Sequence, residues 1–292
     1  MQITKTVTIT LTPESDLDSD SDLNLIPMTS ISASSRTRDP EKLIAFLGAS
    51  GGVGLGALTR ALAAGHTCVA LCRSPAKLTD RFPASQHPNL HIVSGNAHDS
   101  AAVARCLVSP TEPGRFVDAV VSSIGGAFQF QRMTLDDPHV CEKGMKALLD
   151  AISQVRSDKK NNINHNASIE AWNPHLTVVS TCGISAGGWD FPVLLLPMYR
   201  WVLRVPHEDK LAMEAELKRG ARDLGYTYTI VRPSLLADTP APERMIRVGL
   251  GEEPAVGYTI SRDDTGRWIY ENLLDGNGGC GGFENQVATI TW

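Results

Sequence analysis

The chain has 292 residues, of which 42% are hydrophobic and 20% charged, with a formal net charge of -5. That length accommodates one large α/β domain with a sizeable core, and the acidic balance excludes the basic surface that nucleic-acid binding requires. No apolar stretch reaches the roughly eighteen residues of a membrane span, and Phe191 to Leu196 is interrupted by proline.

Residues 1–40 differ in kind from the rest. The stretch TPESDLDSDSDLNL is acidic and serine-rich, and it is expected to form a disordered tail. It lacks the basic start and apolar core of a signal peptide, and the arginine content of a transit peptide. The six cysteines (Cys68, Cys72, Cys106, Cys141, Cys182 and Cys280) show no metal-ligand spacing. They read as reduced thiols of a cytoplasmic protein with no metal.

Residues 41–292 read as one domain in which short apolar runs alternate with longer amphipathic segments. Strands are expected at Leu43 to Leu47, Thr67 to Cys72, Leu90 to Val93, Val117 to Ser122, Leu176 to Ser180 and Tyr226 to Val231. Helices are expected at Val53 to Ala64, Ser100 to Leu107, Pro138 to Val155 and His207 to Leu224. Such alternation produces right-handed βαβ units, and the fold class is a doubly wound α/β parallel sheet of Rossmann type. Two stretches break the rhythm. Ser157 to Trp172 reads as a long polar loop. Trp189 to Arg204, WDFPVLLLPMYRWVLR, is aromatic and aliphatic, and reads either as a buried connector or as the wall of a substrate pocket. Pocket-forming insertions are placed around residues 184–206 and 233–261.

The densest signal is LGASGGVGLG, where Gly48, Gly51 and Gly54 follow a strand and open a helix. In that context the spacing is a dinucleotide-binding pattern. It assigns a tight turn to Gly48, close approach to a pyrophosphate to Gly51, and helix packing to Gly54, with Ser50, Gly52 and Val53 at the helix start. At the end of the second strand, where an NAD site carries an acidic side chain, stands Arg73, followed by Ser74 and Lys77. A guanidinium grips a 2′-phosphate through paired hydrogen bonds, so the expected cofactor is NADP(H).

These segments, with VSGNAHDSAAV, VDAVVSSIGG, VVSTCGIS, HEDKLAMEAELKRGARDLGYTYTIVRPSLL and YTISRDDTGRWIYENL, resemble the atypical, NmrA-like branch of the short-chain dehydrogenases/reductases. The resemblance covers nearly everything from Lys42 onwards. It implies that Asn96 and Ala97 lie by the adenine, although the Gly-Asp found there in relatives is Gly95-Asn96 here. It further implies that Ser122, Ser123, Ile124 and Gly125 line the groove under the ribose, that Ser180 and Thr181 lie near the nicotinamide, and that Arg232 and Ser234 border the substrate cleft.

The ordinary reductase of this superfamily carries Tyr-x-x-x-Lys, the tyrosine passing a proton to the developing alkoxide. Lys210 fits the lysine and is expected to bind the cofactor ribose, but the tyrosine position holds Pro206. His207 lies on the same helical face as Lys210 and Glu214, and reads either as a substitute proton donor or as a solvated, capping residue. Glu214 reads as an ordinary helix-face partner of Lys218, in the favourable Glu-then-Lys order. Tyr199 is a more distant acid.

The leading expectation is an NADPH-dependent reductase of a small, largely apolar ketone, enone or imine, held against Trp189, Phe191, Met198, Tyr199 and Trp201. A non-redox isomerase or cyclase that keeps NADP as a structural element is the second reading, and an NADP-sensing regulator the third. The expected partner is a small molecule, with no nucleic acid and no membrane, and the chain is expected to be a monomer or homodimer.

Overall fold

A computed structural model describes residues 41–126, 136–160, 172–185, 189–239, 244–275 and 282–292, together with the short strands near residue 130. Side chains at 128–129, 134–135, 158–160 and 199–200 lie outside the described set, as does the expected tail at 1–40.

Among the described residues there are twelve strands. These are β1 (Leu43–Leu47), β2 (Thr67–Cys72), β3 (Leu90–Ser94), β4 (Ala119–Ser122), β5 (Phe128–Gln129), β6 (Thr134–Leu135), β7 (His175–Val179), β8 (Thr227–Pro233), β9 (Leu235–Ala237), β10 (Arg247–Leu250), β11 (Thr259–Ser261) and β12 (Gln286–Thr291). Six α-helices accompany them among the described residues: α1 (Gly52–Ala63), α2 (Ala76–Thr79), α3 (Ser100–Cys106), α4 (Val140–Lys160), α5 (Arg204–Leu224) and α6 (Arg262–Ile269).

The main sheet has the order β10-β12-β8-β7-β4-β1-β2-β3, parallel except for the edge strand β10. The chain runs outward from β1 through β2 to β3, then returns to pair β4 on the other side of β1. Between β1 and β4 the direction of winding reverses, and the crevice at such a point is where open α/β sheets bind ligands.

Alternation along β1 explains the two-sided core. Leu43, Ala45 and Leu47 pack with α3, α4 and α5, through Val103, Met145, Leu148 and Leu217. Ile44 and Phe46 pack with α1 and α6, through Leu58, Leu62, Trp268 and Ile269. A strand buried on both faces reads as a continuous apolar run, so β1 is visible in the sequence.

The structure extends the sequence reading in two places. Helix α4 continues to Lys160, consuming the start of the expected polar loop, and Trp172 at its other end is buried, its indole Nε1–H donating to Val117 O at 2.8 Å. The rest of that loop, residues 161–171, lies outside the described residues. Beyond β8, the chain adds β9 to β12 and α6, none of which the apolar periodicity announced.

Candidate functional site

The glycine turn after β1 is built by sterics. Gly48 has φ +89°, and a Cβ there would lie 2.9 Å from the Ser123 carbonyl. At Gly54 a Cβ would collide with Ser123 Oγ, so α1 approaches the end of β4 as only glycine permits. Ser123 fastens the arrangement: its N–H donates to Leu47 O at 2.9 Å and its hydroxyl to Gly48 O at 3.1 Å. Gly51 is different, because no atom lies within 4 Å of its missing Cβ. It also starts α1 without a side-chain cap. The first N–H groups of a helix have no partners within it, so this end is suited to an anion.

A cavity of about 560 Å³ opens on this turn. Gly48, Ser50 and Gly51 form the end at the glycine turn, Arg73, Gly95, Asn96 and Ala97 one wall, and Ser123, Ile124 and Gly125 the other. Gly52, Val53 and Gly54 form the adjoining first turn of α1, Ser74 and Lys77 are exposed beside Arg73, and Ser122 is buried at the end of β4. His98, Asp136 and Asp137 also line the cavity and were not anticipated. The exposed Arg73 has no ion-pair partner among the described residues. The room at Gly51, the uncapped helix and the guanidinium at the far wall fit a dinucleotide.

Lys210 sits at the inner end. Its ammonium donates to Ile124 O at 3.1 Å and to Val179 O at 2.8 Å, joining the ends of β4 and β7. One residue before it, Asp209 is buried and accepts N–H bonds from Cys141 and Glu142, both at 2.9 Å, at the start of α4. Burial pushes the Cys141 thiol up to about 11, so it is uncharged at neutral pH.

Beside Lys210 lies a buried polar chain. The Ser180 hydroxyl donates to Glu214 Oε1 at 2.6 Å, and Arg232 donates to both oxygens of Glu214, at 2.9 and 2.6 Å. Arg232 also donates to Ser185 Oγ at 2.7 Å, and Ser185 donates to Asp190 Oδ2 at 2.6 Å. Asp190, fully buried, accepts the Gly183 N–H at 2.8 Å. Thr181 is half-buried and donates to Cys182 O, so Ser180 rather than Thr181 points into this cluster.

Several expectations are corrected here. Glu214 does pair with Lys218, Nζ lying 3.8 Å from its carboxylate, but its side chain is only 3% exposed and its two oxygens are taken by Arg232. His207 is neither solvated nor a cap. It is buried, and desolvation lowers its pKa to about 4, leaving the ring neutral at physiological pH. Arg232 is committed to Glu214 rather than open to a cleft, and Ser234 is buried against Thr291 Oγ1 at 2.9 Å. The aromatic wall is incomplete: Trp189 and Phe191 meet at 5.6 Å, but Trp189 is 55% and Trp201 81% exposed. Met198 is half-buried, and the Tyr199 side chain lies outside the described residues.

Fold and cavity together define a Rossmann-type domain whose sheet carries, at its switch point, a cavity that fits a dinucleotide. Residues 48–275 match the NAD(P)H-binding family, and the chain belongs to it, as an oxidoreductase of the atypical short-chain dehydrogenase/reductase type. It is 39% identical over 268 residues to the reductase pytE of Aspergillus terreus, covering 85% of this chain and 97% of that protein. It is 34% identical over 281 residues to the oxidase pynE of Aspergillus niger, covering 85% and 98%. A short-chain dehydrogenase/reductase from Veillonella parvula, solved in complex with NADP, shares the fold at TM-score 0.58 and 17% identity, over 86% of this chain and 94% of that one. ChuY, an anaerobilin reductase from Escherichia coli, does so at TM-score 0.56 and 18% identity, over 85% and 96%. Among the described residues no helix is long and apolar enough to cross a membrane.

Proposed function

We propose that the chain is an NADPH-dependent reductase of a small, largely apolar organic substrate. The observation that carries the reading is the cavity at the glycine turn, with space at Gly51 and an unpaired guanidinium on Arg73 where an NAD site would present a carboxylate. Ser74 and Lys77 add hydroxyl and ammonium donors beside it. The relative named as a reductase supports the direction of the chemistry.

The nicotinamide, when bound, supplies the hydride. Lys210 orients the floor of the site by holding the ends of β4 and β7 in register. Substrate positioning is assigned to Ser180, whose hydroxyl Glu214 holds at 2.6 Å, and the proton that follows the hydride comes from water. Arg232 offsets the cost of burying the carboxylate and fixes its two oxygens. Water thus takes the proton-donating part of the tyrosine that Pro206 replaces.

The test is oxidation of NADPH by the purified protein with ketones, enones and imines. Equimolar loss of NADPH and appearance of reduced product is expected, and product formed without any consumption of NADPH would replace the reading with a non-redox one.

A further inference from the structure

A second cavity, of about 680 Å³, lies at the other end of the same sheet edge. Its walls are Pro192, Met245, Val256, Tyr258 and Trp292, with Arg244 and Arg247 among them. Both β12 and β8 are parallel to β7, and Arg247 pairs with Thr291, so this cavity opens at the carboxyl end of the strands, as the glycine turn does. Strand β12 lies two positions from β7, about 10 Å across the sheet. Pro192 joins the two regions, because it follows Asp190, whose carboxylate holds Gly183 just beyond β7.

The lining has a definite chemistry. Met245, Val256 and Tyr258 are 84%, 39% and 55% exposed, an apolar surface gathered around one opening. Arg244 lies over the indole of Trp292, 5.0 Å from its centroid, and makes no ion pair with Asp or Glu among the described residues. Arg247 is committed to main-chain oxygens, donating to Val256 O at 3.0 Å and Trp292 O at 2.6 Å, and so braces the wall. Trp292 is held from behind, its Nε1–H donating to Asp264 Oδ2 at 2.9 Å. The result is an apolar slot with one guanidinium, stacked on Trp292, at its rim.

We infer that this slot takes the tail of the substrate, and that the substrate is a largely apolar molecule bearing an anionic group, such as a carboxylate, which pairs with Arg244. The inference rests on the reductase reading for its name of substrate, but its test does not. The probes are 1-anilinonaphthalene-8-sulfonate, which is aromatic and anionic, and N-phenyl-1-naphthylamine, the same ring system without the charge. Fluorescence titration of the full chain and of Arg244→Gln compares the two, with NADPH affinity measured in parallel. The substitution is expected to weaken the sulfonate about tenfold and the neutral amine less than about twofold, with NADPH binding unchanged. Equal affinity of the sulfonate for both proteins would overturn the inference. So would a dimer by sedimentation that Tyr258→Asp dissociates, which would give this face to a second copy. Loss of the reductase reading appears separately, as failure of NADPH to bind or be consumed while the sulfonate selectivity persists.

Discussion

Arg232 grips Glu214 at two points, Nε to Oε1 at 2.9 Å and Nη2 to Oε2 at 2.6 Å, with side chains only 8% and 3% exposed. The pair anchors the Ser180 hydroxyl and links α5 to β8. Removing one member leaves the other charge buried without its partner, so Glu214→Ala is expected to destabilise the fold by about 3–5 kcal/mol in urea unfolding. The milder Glu214→Gln keeps the shape, and is expected to lower turnover by about 10²-fold with NADPH affinity retained. Ser180→Ala should cost as much, and the double variant no more than either alone, since the two act as a unit. Additive losses would show that Glu214 and Ser180 act independently.

Gly51 separates cofactor from fold. A methyl there meets no protein atom within 4 Å, so Gly51→Ala leaves the unfolding midpoint unchanged. It fills space intended for the pyrophosphate, and NADPH affinity is expected to fall about tenfold or more. Gly54→Ala, whose methyl would strike Ser123, should lower stability and binding together.

Arg73 tests cofactor choice. Arg73→Ala is expected to weaken NADPH by about tenfold while leaving NADH nearly unchanged, because only NADPH carries the 2′-phosphate. Parallel losses for both nucleotides, read by nicotinamide fluorescence, would remove the 2′-phosphate assignment.

Two buried histidines set an acid limit. Desolvation lowers His175 and His207 from 6.5 to about 4 in the folded protein. Between these values the unfolded chain binds more protons than the native one, so stability rises with pH there and is lost as pH falls from 6.5 towards 4. Unfolding free energies from urea titrations at about pH 7 and about pH 5 should differ by up to about 1.4 kcal/mol per pH unit below 6.5 for each fully displaced group. His207→Gln should show a smaller drop. An identical drop in both proteins would assign the acid sensitivity elsewhere.

The first half of the sheet was legible because each strand is a short apolar run bounded by Gly, Pro or polar residues, and β1 and β2 fall where the sequence places them. Strand β12, QVATIT, mixes polar and apolar residues and gave no such signal. Its Thr289 and Thr291 are buried because their hydroxyls find partners, Gly249 O and Ser234 among them. Helix α6 was missed for a related reason: RDDTGRWI reads as polar, yet Asp264 is capped by Ser261 and Gly266 lets the helix ride on α1, where a Cβ would come within 2.7 Å of Val53 O. At the site, the glycine turn has a local cause and could be read. The buried charges could not, since Glu214, Arg232 and Asp190 look like surface residues until the fold closes them on one another. The spacing of His207, Lys210 and Glu214 was correctly read as one helical face, but which of them meets solvent depends on β7 and β8.

The most direct test of the account is a titration of the purified full chain with NADPH and NADH, followed by nicotinamide fluorescence as enones, ketones and imines bearing an acidic group are added. The account predicts tighter binding of NADPH than NADH, and stoichiometric loss of fluorescence with one substrate class. Absence of NADPH binding, or substrate conversion with the nicotinamide left reduced, would contradict it.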